Sequence, residues 1–137
     1  MKNKTIFTAA CMVTILATAL LAQTPRRHDE IMKDVSAAYT QLKADLDARK
    51  SAESAAGAQK LQNLFKEVED FWAPYETKDA TQAAQNAQTA FAALSSSIKA
   101  NNFQQALTTY TGVAQQCGAC HSNHRIQAAD QTYRIKP

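Results

Sequence analysis

Apolar residues recur along this chain at alternating steps of three and four in four separate stretches, and no stretch shows the period of two expected of a half-buried strand. The first stretch is Met32, Val35, Tyr39, Leu42 and Leu46. The second is Leu61, Leu64, Val68 and Phe71, widened by Phe65 and Trp72. The third is Ala84, Ala87, Phe91, Leu94 and Ile98, and the fourth is Phe103, Ala106, Tyr110, Val113, Cys117 and Cys120. Such steps average 3.5 residues, the spacing of a seam between helices packed at a shallow angle. The pattern therefore predicts an all-α fold, a four-helix bundle. Short connections make neighbouring helices antiparallel, so the expected course is up-down-up-down. That course gathers at one end the start of the first helix (His28, Ile31, Met32), the end of the second (Val68, Phe71, Trp72), the start of the third (Ala83, Ala84, Ala87) and the end of the fourth.

Boundary residues support the count. Thr24 and Pro25 read as an N-cap and first helical residue, Asp79 with Gln82 as a capping box, and Asn102 with Gln105 as another. Pro74 closes the second helix. The break between the first two helices falls in DARKSAES, where Ser51 offers an N-cap and neither glycine nor proline marks the turn. Gly57 and Gly112 lie inside helical patterns, which costs stability and permits close packing.

The N-terminus has a different character. Lys2 and Lys4 precede an apolar run from Ile6 to Leu21, and Ala19 or Ala22 suits a cleavage site, so residues 1–22 read as a secretory signal peptide and 23–137 as one domain. The competing reading is an uncleaved membrane anchor, against which the polar QTPRR after the run argues. Cys11 leaves with the leader, so the remaining chain keeps Cys117 and Cys120 alone. The whole chain carries 15 basic and 12 acidic side chains, a balance close to neutral once Lys2 and Lys4 are removed. Neither nucleic acid nor an anionic membrane surface is implied as a partner.

The candidate chemistry lies in QCGACHSNHR. Cys117 and Cys120 project from one helical face, where two thiols can form thioethers with the two vinyl groups of a haem, and His121 follows to meet the iron as proximal ligand. This is the C-x-x-C-H attachment pattern. Structural zinc would want four ligands and finds no second cysteine pair nearby. A dithiol redox motif belongs at a helix N-terminus after a strand, where its thiol pKa is lowered, and this pair ends a helix instead. The cysteines continue the apolar stripe, so one covalently attached haem c per chain is expected in the bundle interior. No paired carboxylates, Ser/His/Asp set or glycine-rich phosphate loop suggests an enzyme.

With EIMKDV early in the first helix, LFKEVEDFW ending the second and CGACHSNHR near the C-terminus, the chain resembles the class II c-type cytochromes, the cytochrome c-prime family and its low-spin, methionine-ligated branch. Arg125 follows His121 by four, as in the family pattern C-x-x-C-H-x-x-x-R. The resemblance implies a haem-bearing four-helix bundle in the periplasm that exchanges single electrons with periplasmic redox proteins and has no stable membrane anchor; such bundles often pair as homodimers through the first two helices. Two positions depart from the family: His28 replaces a common arginine, and His124 a common aromatic residue.

Met32 is the expected sixth ligand, making the iron low-spin; if it stays unbound, the open iron would bind nitric oxide or carbon monoxide. His28, one turn earlier, is the other distal candidate. Phe71 and Trp72 are expected as apolar walls of the haem pocket, Arg125 as a propionate or proximal contact, and His124 at the surface or beside a propionate.

Overall fold

A computed structural model describes residues 26–137. The leader reading of residues 1–22 and the Thr24–Pro25 cap lie outside these residues. Four helices dominate: α1 (His28–Asp47), α2 (Ser51–Trp72), α3 (Lys78–Lys99) and α4 (Phe103–His124). Consecutive helices pack on each other, and α4 returns to α1 in the sparsest contact of the four neighbouring pairs. One apolar core runs through all four, with Leu42, Leu61, Trp72, Phe91 and Leu94 fully buried. No described helix is long and apolar enough to cross a membrane.

The buried stripe of α1 is Ile31, Val35, Ala38, Leu42 and Leu46, whereas Met32 and Tyr39 are half-buried on its flank. α2 extends its buried face back through Ala58 and Ser54, small residues the apolar pattern does not mark. Gly57 lies against α1, where a Cβ would meet Leu42 Cδ1 at 3.4 Å, an ordinary contact distance.

The three interhelical turns form without glycine. Arg49, Glu76 and Asn101, one in each interhelical turn, adopt the left-handed backbone that glycine usually supplies. At Arg49 the amide donates to Leu46 and the following Lys50 amide to Asp45, closing the end of α1 without glycine. α2 starts at Ser51 with Lys50 as its N-cap residue, so Ser51 is not the cap. The Asn102 cap is present, its side chain accepting from the Gln105 amide at 3.1 Å. The Asp79 capping box is corrected. Thr77 is the N-cap residue of α3, and the Asp79 carboxylate instead accepts from His124 and Asn123 of α4.

Pro74 falls in a single 3-10 turn, Ala73–Tyr75, that follows α2. After α4 the chain makes a hairpin that the all-helical expectation lacked. β1 (Arg125–Gln127) pairs antiparallel with β2 (Tyr133–Ile135), Arg125 opposite Ile135. Three residues per strand are too few to show a period, which is why the pattern missed them.

Candidate functional site

At one end of the bundle an apolar cleft opens among the helices. α1 contributes His28, Met32 and Val35, and α2 contributes Phe65 and Val68. Ala80, Ala83, Ala84 and Ala87 of α3 form its low wall, and Gln116, Cys117, Cys120 and His121 of α4 complete it. The space exists because α3 presents methyl groups here, while farther along the same helix Phe91 and Leu94 fill the core. The cavity measures about 60 Å³. At roughly 10–15 Å³ per water-sized sphere it holds only a few waters, so a macrocycle would have to extend beyond it.

The chemistry-bearing groups here are neutral at pH 7. Cys117 and Cys120 form no disulfide. Burial pushes both pKa values up, and at Cys120 the Asp79 charge adds to the effect. A dithiol oxidoreductase requires the opposite shift. Burial likewise lowers the His121 pKa, helped by the Arg125 charge, and lowers that of His28, helped by His121. Both imidazoles therefore favour the neutral form, which keeps a ring nitrogen lone pair free to serve as a ligand.

The sequence-predicted residues divide into two groups. Met32, Cys117, Cys120 and His121 line one cleft, and His28 joins them there. Phe71 and Trp72 stand behind His28, their rings 5.0 and 5.6 Å from its own, instead of lining the cleft. Arg125 lies on the hairpin with its guanidinium 3.9 Å from the centroid of the Tyr133 ring. The expectation of a surface His124 is corrected. It is buried, bonded through Nδ1 to the Lys136 carbonyl and through Nε2 to Asp79, each at 2.8 Å, with Trp72 5.1 Å away. Val35, Phe65, Ala80 and Gln116 also line the cleft, although the sequence reading did not place them there. Phe65 and Ala80 carried a signal in their helical register with Val68 and Ala84, whereas Gln116 carried none.

Among the described residues no three His, Cys, Asp or Glu side chains converge as a metal site. A haem needs no such cluster, because its ring supplies four nitrogens and the protein adds thioether anchors and axial ligands. Two adjacent thiols, a neutral imidazole and a thioether on apolar walls form a donor set that fits this group. A wider groove of about 420 Å³ at the far ends of α1 and α4, bounded by Leu46, Asp47, Arg49, Phe103 and Leu107, has no thiol, thioether or imidazole. Comparison with known proteins returns no match to a family model, a curated protein or a solved structure.

Proposed function

We propose that this chain is an exported, single-haem c-type cytochrome of the class II kind that carries one electron at a time between periplasmic redox proteins. The observation that carries the reading is the cleft itself, where Cys117, Cys120 and His121 of α4 line one apolar space with Met32 and His28 of α1. An up-down-up-down course accounts for the ring contacts between His28 at the start of α1 and Trp72 at the end of α2, and for the bond between Asp79 early in α3 and His124 at the end of α4.

Bound there through thioethers to Cys117 and Cys120, haem c would supply an iron that changes by one electron. His121, held neutral by burial, presents a ring nitrogen as proximal ligand. Met32 would offer a soft sulfur from α1 to the same iron, which would then change little in structure as it gains or loses an electron. The alanines of α3 would offer a low wall to the ring, while Val35, Phe65 and Val68 would supply apolar surface that excludes water. A second reading, a five-coordinate protein that binds nitric oxide or carbon monoxide, draws support from the half-buried position of Met32, which already packs against the core as an apolar residue.

The test is expression with the cytochrome c maturation machinery, followed by a pyridine haemochrome assay and visible spectra of both oxidation states. The carrier reading expects one covalent haem, a weak far-red charge-transfer band in the ferric state and a low-spin ferrous state slow to take carbon monoxide. Met32→Ala should abolish the band and open the iron to carbon monoxide. Absence of covalent haem rejects the cytochrome reading, and a high-spin wild type that binds carbon monoxide rapidly rejects the carrier in favour of the gas binder.

A further inference from the structure

α1 and α4 meet through one unusual pair. The rings of Tyr39 and Tyr110 stack with centroids 4.0 Å apart and planes at 15°. The Tyr39 hydroxyl donates to the Tyr110 backbone carbonyl at 2.7 Å, and the Tyr110 hydroxyl donates to the Tyr39 carbonyl at 3.0 Å. The bonds are reciprocal, so sliding or parting the helices breaks both together. Ordinary apolar contact tolerates such motion far better, because it has no preferred direction.

The position of the pair gives it a consequence for the cleft. Tyr39 follows Met32, and Tyr110 precedes Cys117, by two helical turns in each case. Met32 and Cys117 both line the cleft. Elsewhere α1 and α4 touch sparsely. The pair is also tied to the core, with the Tyr39 ring edge-on to Phe91 at 6.4 Å.

We infer that Tyr39 and Tyr110 form a register clamp that sets the spacing of α1 and α4 at the cleft, and through it the presentation of Met32 toward the iron held by His121. They are positioning residues. The part concerning iron rests on the cytochrome reading above; the part concerning helix spacing does not.

The test uses the haem-loaded protein and the double variant Tyr39→Phe/Tyr110→Phe, which keeps the ring stack and removes both reciprocal bonds. Helicity and covalent haem content should remain at wild-type levels, while the far-red methionine band falls and the rate of carbon monoxide uptake by the ferrous protein rises at least tenfold. Each single variant should show most of the effect, because losing one bond already frees the register. Spin labels at the exposed Ser36 and Thr111 should report a broader α1–α4 distance distribution in the double variant. Leu46→Ala, at the distant end of α1, should lower stability without changing the band or the uptake rate. An unchanged label distance in the double variant overturns the clamp. A broadened distance with an unchanged band and uptake rate overturns its role toward iron. A wild type without the methionine band rejects methionine ligation and with it the iron part, while the label distance still decides the clamp.

Discussion

Replacing Ala84 with leucine tests whether the cleft is space kept for a ligand or only loose packing. Ala84 is 2 % exposed and lines the cleft with Ala80 and Ala87. Leucine adds three carbons at this wall. At about 0.8 kcal/mol per buried CH₂, filling existing space should stabilise the haem-free protein by about 2 kcal/mol. If the space were absent, overpacking would instead destabilise it by about 1–3 kcal/mol. The cavity of about 60 Å³ favours the first outcome. The same leucine would occupy room the macrocycle needs, so haem per chain should fall sharply. Urea unfolding followed by circular dichroism measures the first effect, and the pyridine haemochrome assay after expression with maturation proteins measures the second. A variant that loads haem fully, or whose haem-free form is less stable than wild type, refutes the argument.

The His124 staple should make stability depend on pH. Burial disfavours its charge, but the Lys136 carbonyl and the Asp79 carboxylate outweigh that and raise its pKa, with the Lys136 ammonium opposing them. The folded value thus lies above the unfolded value of about 6.5, so the contribution is fully present below about pH 6.5 and is lost as pH rises through the folded value. Urea midpoints should show this loss in wild type and not in His124→Asn; taking the difference removes the opposite slope expected from His28 and His121, and parallel curves would discount the staple. Arg49→Gly should raise stability by about 0.5–1 kcal/mol by relieving a left-handed residue at φ 52° that has a side chain, as read by the urea midpoint. Gly112→Ala should stabilise by a similar amount, about 0.5–1 kcal/mol, because a Cβ there meets nothing within 4 Å; a drop in melting temperature would show an unrecognised close approach.

Periodicity alone determined that there are four helices, because each must bury a continuous apolar face and a step of three or four is the only way to build one along a helix. It also placed Cys117 and Cys120 on the inner side of α4, since they extend the stripe of Phe103, Ala106, Tyr110 and Val113. Tertiary structure decided what local pattern does not encode. Whether Ile31 or Met32 faces the core depends on the angle at which α1 meets its neighbours, and the packing buries Ile31 and leaves Met32 on the flank toward the cleft. Asp79 looked like a cap because its neighbours in sequence suit one, yet His124, 45 residues away, takes its carboxylate. The partnership of Tyr39 with Tyr110 spans 71 residues and leaves no trace in either local stretch. The period of a helix is a property of neighbours in sequence, whereas a hydrogen bond between helices depends on distances that only the packed bundle sets.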